Sequence, residues 1–390
     1  MNILFLYTAN INPQLGGVER VTVNLAGYFE KKGLSVIFLA LPNNTPTIDK
    51  RQYFLPDPTS AFTKKNINYF QSFLIEKSIS LVINQGGNNI QISKLASYCK
   101  INKVKLISVV HNSLLATINN FSFIYQNKFQ KLGLDWITPF LNTKFFSYIL
   151  RKSYIIKYGK HYKALCGNSN YVFLLSEKYK EELEILLNGK LTNNVIGMPN
   201  PIVYNDVKKC NKKKEVLYVG RVNSSQKRVD LLLKIWSLIE VKHSDWTLNI
   251  VGGGDELESM KQLSGKLNLK NVFFHGFTDP KPFYETASIF TMTSSFEGLP
   301  MTILESMQYG LVPIAFDSFL SAKDLIDDKE NGFLITPFNV NEYVKKLSLL
   351  MSSSDDLERI SNQSKQKVKN FDLSVIGKQW ITLFKELNNS

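Results

Sequence analysis

The sequence predicts an α/β protein of two doubly wound, parallel-sheet domains that face each other across a cleft. Three observations predict it. Short continuous apolar runs alternate with helically patterned segments, the plan is laid out twice, and a proline-marked basic stretch separates the two rounds. Continuous apolar strands set between helices suit a parallel sheet covered on both faces.

In the first round the strand candidates are ILFLY (3–7), LSVIFLA (34–40), SLVIN (80–84), KLISVV (105–110) and YVFLLS (171–176). Between the first two, Val18, Val21, Leu25 and Phe29 fall at helical spacing and Gly33 closes the segment. The second round offers EVLYVG (215–220), WTLNIVG (246–252), NVFFHG (271–276), SIFTMT (288–293) and VPIAF (312–316). MPNPIVYNDVKKCNKKK (198–214) lies between them as the linker candidate, and FDLSVIGKQWITLFKEL (371–387) ends the chain as an amphipathic helix. The expected domains are therefore 1–200 and 215–370, joined by a linker at 201–214 and followed by a terminal helix at 371–390.

A chain of 390 residues suits two domains, and 44% hydrophobic with 21% charged residues is ordinary globular composition. Three scattered cysteines, Cys99, Cys166 and Cys210, give no disulfide framework and no zinc knuckle, which fits a reducing compartment. No stretch reaches the ~18–20 apolar residues of a bilayer span. The expected location is cytoplasmic. The net charge of +14 is lopsided: residues 1–200 hold 23 Lys and Arg against 10 Asp and Glu, and residues 201–390 hold 24 against 23. Such a bias in the first half points to an anionic partner: nucleic acid, a phosphate-bearing substrate or a membrane surface.

Ligands of open α/β sheets sit at the carboxyl ends of strands, so chemistry is sought there. Gly16 and Gly17 stand directly before the first helix, where bare backbone can approach a ligand. His111 follows the fourth strand; a structural hydrogen-bonding role is the plain alternative. Arg221 lies one residue past Gly220 and Lys227 stands at the entrance to the next helix, a spacing that suits a diphosphate clamp. VGGGDELESM (251–260) lacks the third glycine of a dinucleotide fingerprint and reads as a tight strand-to-helix turn near a nucleotide.

FEGLPMTILESMQYGLVP (296–313) holds two glutamates, Glu297 and Glu305, around a Gly-Leu-Pro. Pro300 suits the first turn of a helix running to about Tyr309, with Gly310 just past its end. The amides around Gly298, Leu299, Pro300 and Met301 would then face phosphate oxygens. Were all eight steps helical, the carboxylates would span ~12 Å, longer than the ~5–9.5 Å of a glycosidase pair. That span suits one carboxylate on a sugar and the other on a ribose, with the diphosphate between them.

GGVERV, His111, GRV-x4-K (220–227), FHGF (274–277) and E-x7-E enclosing GLP together resemble the retaining glycosyltransferases of family 4, which have the GT-B fold. The resemblance runs from near residue 1 to about residue 350. It implies transfer of a sugar from a nucleotide diphosphate donor with retention, no required metal and no cofactor. Arg221 and Lys227 would hold the diphosphate, Glu305 the ribose and Glu297 the donor sugar. His111 would lie beside that sugar, the backbone near Phe277 would meet the base, and the terminal helix would cross back to the first domain. Many relatives carry glycine after the clamp lysine, where this chain has Arg228. SAKDLI (321–326) resembles the G-P-K-E-I-I of galactose and N-acetylhexosamine transferases of bacterial surface polysaccharides, with Ser321 and Ala322 in place of Gly-Pro. This points to a UDP-sugar.

Two further observations bear on partners. No two aspartates are separated by one residue, so the D-x-D metal motif of the other large glycosyltransferase fold is missing. Between Phe121 and Lys163 stand twelve Phe, Tyr or Trp and eight Lys or Arg, with Asp135 the one acid. Interleaved aromatics and cations suit a headgroup interface, hence a peripheral protein on the inner face of the membrane reaching a lipid-linked saccharide. Packed aromatics with solvated lysines are the plain alternative. The rival functions are a nucleic-acid-binding protein, an epimerase or phosphorylase on the same fold, and a non-catalytic partner subunit; no RNA or DNA module is readable, and no nucleic acid is expected.

Overall fold

The structure, a computed structural model, describes residues 1–14, 16–42, 49–121, 132–134, 136, 143–207 and 211–389. The chain forms two compact units. The first comprises residues 1–114, 148–203 and 371–390, and the second residues 115–147 and 204–370. Residues 115–147, expected in the amino-terminal domain, cluster with the second unit; their described residues carry no strand that would tie them to the first sheet.

In the first unit, β1 (Asn2–Tyr7), β2 (Ser35–Ala40), β3 (Gln52–Phe54), β4 (Leu81–Asn84), β5 (Lys105–Val110), β6 (Tyr171–Leu174) and β7 (Val195–Gly197) form one parallel sheet in the order β3-β2-β1-β4-β5-β6-β7. The central strands are buried along their length, as their unbroken apolar runs require. The crossovers include α1 (Gly17–Lys31), α2 (Lys64–Glu76), α3 (Ile90–Ala96), α4 (Lys144–Asn168) and α5 (Tyr179–Leu186). Chain order reverses between β1 and β4, which opens a crevice at their carboxyl ends.

In the second unit, β8 (Glu215–Val219), β9 (Thr247–Val251), β10 (Val272–Gly276), β11 (Ile289–Met292), β12 (Val312–Phe316) and β13 (Phe333–Ile335) run in the order β10-β9-β8-β11-β12-β13, again parallel. The helices include α6 (Val229–Ser237), α7 (Leu257–Lys266), α8 (Lys281–Thr286), α9 (Met301–Gln308), α10 (Val340–Ser352) and α11 (Ser354–Val368). Trp236, Tyr218, Phe316 and Tyr343 fill the core between helices and sheet. Here the reversal falls between β8 and β11.

The last helix, α12 (Leu373–Asn389), lies in the first unit against α1. Its Trp380 and Phe384 rings lie 5.9 and 5.0 Å from Phe29, and Gly377 meets Tyr28 so closely that a Cβ there would fall 2.5 Å from the ring. The main chain enters this helix through paired bonds between Ile202 and the segment Phe371–Leu373. No helix among the described residues is long and apolar enough to cross a membrane.

The structure adds three strands that the sequence reading did not mark: β3, β7 and β13. Each has three residues and lies at the edge of its sheet, too short to show an apolar run. The helix expected at Pro300–Tyr309 is Met301–Gln308, with Pro300 as its extended N-cap (ψ 103°).

Candidate donor site

The reversal between β8 and β11 brings together two loops that lie seventy residues apart in sequence. From the first, Lys227 Nζ reaches Glu297 Oε1 of the second at 2.6 Å, with side-chain exposures of 13% and 9%. A buried carboxylate and a buried ammonium are each costly alone, and the pair offsets that cost. The two loops are also stitched through Gln226: its carbonyl accepts from the Ser295 amide at 2.7 Å and its side-chain amide donates to the Phe296 carbonyl at 3.3 Å. Asn223 shapes the first loop by accepting the Gln226 and Lys227 amides at 3.1 and 2.8 Å.

Arg221 is exposed and donates to Gln226 Oε1 at 3.3 Å. Its carbonyl accepts from the Tyr218 hydroxyl at 2.7 Å. That phenol is held well above its ordinary range, first by burial and then by the Glu297 charge, so it remains a neutral donor. Glycines let the backbones crowd here. At Gly252 (φ 136°) a Cβ would fall 2.0 Å from the Gly220 oxygen, and at Gly254 (φ 158°) one would fall 2.5 Å from that of Val222.

Arg228 adopts the left-handed conformation, φ 52° and ψ 44°, a backbone that favours glycine. The side chain is buried, pairs with Asp230 at 3.1 Å and lies 5.6 Å from the Phe338 ring.

The head of α9 follows directly. Glu297, Gly298 and Leu299 lie outside the helix, so the ~12 Å expected for an all-helical step between the two glutamates does not apply. No side chain caps this helix, and its first turn holds no acid, which leaves its amides as donors. Ser321 Oγ donates to the Gly298 carbonyl at 2.6 Å and so holds the turn before the helix. Inside the helix, Glu305 Oε2 accepts from the Tyr284 hydroxyl at 2.9 Å, and Tyr284 stacks on Tyr309 with ring centres 5.6 Å apart. Beyond β10, Phe277 is 82% exposed, and the nearest atom to a Cβ built on Gly253 is Phe277 Cβ at 3.8 Å.

The other candidates belong to the first unit. His111, one residue past β5, is buried; its ring Nε2 lies 2.6 Å from Gln85 Oε1 and its amide donates to Asn88 at 2.9 Å. With the glutamine oxygen as acceptor, Nε2 carries the proton and Nδ1 a lone pair. Nδ1 is buried without a hydrogen-bond partner among the described residues. Burial lowers the imidazole pKa to about 4, which keeps the ring neutral. Gly16 is the extended N-cap of α1, and a Cβ there would fall 2.4 Å from Glu19 Oε2. Burial holds the Glu19 carboxyl above its ordinary range. The head of α1 beside Gly16 and Gly17 thus carries an acid of its own, Glu19. No group of three or more metal-ligating side chains occurs among the described residues.

The sequence reading marked Arg221, Lys227, Glu297 and Glu305 but missed the residues that hold them. Asn223 was findable, since an Asn four residues before the lysine reads as an Asx turn. Gln226, Tyr284 and Gln85 are neutral side chains in loops and a short helix, and nothing local distinguishes them.

Residues 204–367 match the family described as "Glycosyl transferases group 1". An uncharacterized glycosyltransferase of Haemophilus influenzae is 28% identical over 380 residues, covering 94% of this chain and 95% of that one. The lipopolysaccharide 1,6-galactosyltransferase of Salmonella typhimurium is 25% identical, covering 86% of each chain. Among solved structures, the lipopolysaccharide outer core galactosyltransferase WaaB in its apo form matches with a TM-score of 0.71 at 21% identity, over 99% of this chain and 100% of that one. Anabaena HepE in complex with UDP matches with a TM-score of 0.73 at 15% identity, over 99% and 100%. These structural likenesses show the fold: two parallel-sheet, Rossmann-like domains of the GT-B kind. The family match and the named relatives support a glycosyltransferase.

Proposed function

We infer that the protein transfers a hexose or N-acetylhexosamine from a UDP-sugar, with retention and without metal or cofactor, to a lipid-linked saccharide in bacterial cell-surface polysaccharide synthesis. Its working place would be the cytoplasmic face of the membrane. The observation that carries this reading is the Lys227–Glu297 pair at the uncapped head of α9, with Arg221 and Glu305 in the same unit. Donor cleavage puts negative charge on the leaving phosphate and positive charge on the anomeric carbon. Lys227, Arg221 and the α9 amides address the first by fixed electrostatics. Glu297 is tied to an ammonium, which weakens it as a nucleophile and favours a role in gripping the donor sugar. In the first unit His111, neutral and with a lone pair on Nδ1, is suited to accept a hydrogen bond from a sugar hydroxyl and so to position it.

The second unit is reserved for the donor and the first for the acceptor. The UDP preference is supported by the HepE structure in complex with UDP. The test is a transfer reaction with UDP-sugars in the presence of chelator, its product read by NMR. Retained anomeric configuration is expected. An inverted product, or turnover only with GDP-sugars, would overturn the corresponding part of this reading.

A further inference from the structure

The helix α4 shows two contrasting sides. Its inward side is anchored: the Tyr154 hydroxyl donates to the Leu114 carbonyl at 2.6 Å, His161 Nε2 reaches the Gly87 carbonyl at 2.8 Å, and Tyr162, Leu165 and Cys166 are buried. The outward side carries Ile149, Lys152, Ile156, Lys160 and Lys163, at spacings of three and four residues that keep them on one face. Tyr148 joins them with Lys152 Nζ 5.0 Å above its ring. Tyr148, Ile149 and Ile156 are 57%, 43% and 63% exposed. Lys157 flanks the stripe, and the helix holds no Asp or Glu.

We propose that this face, from Tyr148 to Lys163, docks the protein on an anionic lipid bilayer. One exposed isoleucine needs no explanation, but two isoleucines and a tyrosine aligned among four cations make an interfacial face. Apolar side chains gain by entering the headgroup boundary, and each nearby cation adds attraction to anionic lipid. Charge argues against the other occupants. A second copy laid on the same face would set cation against cation. A nucleic acid would satisfy the lysines and leave both isoleucines in water. The biological use of this surface rests on the proposed lipid-linked acceptor: the helix is pinned through His161 to Gly87, beside the Asn88 that holds His111, so docking would present that end of the sheet to the membrane.

The test is co-sedimentation of the full chain at low salt with vesicles of phosphatidylglycerol in phosphatidylcholine, and with phosphatidylcholine alone. Binding is expected only to the first, and released by salt. The triple variant Lys152→Gln, Lys160→Gln, Lys163→Gln should bind roughly 100-fold more weakly, about five-fold per cation. Ile156→Glu should also lose binding, whereas Lys242→Gln and Lys345→Gln in the second unit should not. Stabilisation by UDP, measured in parallel, reports folding of the variants and tests the donor site separately. No binding by the wild type, unchanged binding by the α4 variants, or wild-type dimers dissolved by Ile156→Glu would each overturn the proposal.

Discussion

Lys227 and Glu297 stand seventy residues apart in sequence and 2.6 Å apart in space, across the point where the second sheet reverses its strand order. In the unliganded state each neutralises the other. Removing one partner takes from the other the opposite charge that offsets its burial. Lys227→Met should therefore destabilise the protein by about 3 kcal/mol, and adding Glu297→Gln should recover much of that loss. Urea denaturation of the two single variants and the double variant measures the coupling directly.

The Tyr284 hydroxyl acts on Glu305 in the same way, by fixing one carboxylate oxygen. If Glu305 reads a ribose, Tyr284→Phe leaves the stacked ring and loosens the carboxylate. The expected result is donor KM raised by about 10-fold with kcat little changed, the loss of one hydrogen bond to a charged group. Discrimination between UDP and its 2′-deoxy analogue should shrink as well. A variant with reduced stability and unaltered discrimination would assign Tyr284 to packing alone.

His111 makes stability depend on pH. Its imidazole pKa falls to about 4 in the folded protein through burial, against ~6.5 in an unfolded chain. Between these values the unfolded chain binds the extra proton, so the contribution is complete above ~6.5 and is lost as pH falls toward 4. Its size is on the order of 3 kcal/mol. Chemical denaturation from pH 7 to pH 4 should show this slope in the wild type and a shallower one in His111→Asn.

Gly252 holds the β9 turn against the β8 loop. Gly252→Ala meets both an unfavourable φ of 136° and a backbone oxygen 2.0 Å from the new Cβ. The expected cost is on the order of 2–3 kcal/mol, with nucleotide affinity falling alongside it because the clamp loop must shift. Thermal unfolding with and without UDP separates the two effects.

Much of the fold was legible because the strands that matter are continuous apolar runs: each strand the sequence reading marked appears within one or two residues of its expected ends. What stayed hidden is short or neutral. β3, β7 and β13 gain their pairing from a neighbouring strand, not from their own composition. At the site, charged residues announce themselves, whereas Gln226 matters only through bonds to Ser295 and Phe296 that no local pattern records. Arg228, a charge in a loop, is buried against Asp230 and Phe338 on a left-handed backbone, contacts that no local pattern records. Of the aromatic and basic stretch 121–163, residues 122–131, 135 and 137–142 lie outside the described residues.

Calorimetric titration of UDP in excess chelator is the most direct test of the claim that protein groups alone, without metal, neutralise the donor's diphosphate. The account predicts binding by the wild type and a loss of roughly 10–100-fold in Lys227→Ala, the worth of one charge-assisted hydrogen bond. Failure of the wild type to bind UDP without a divalent metal, or equal affinity in the variant, would contradict it.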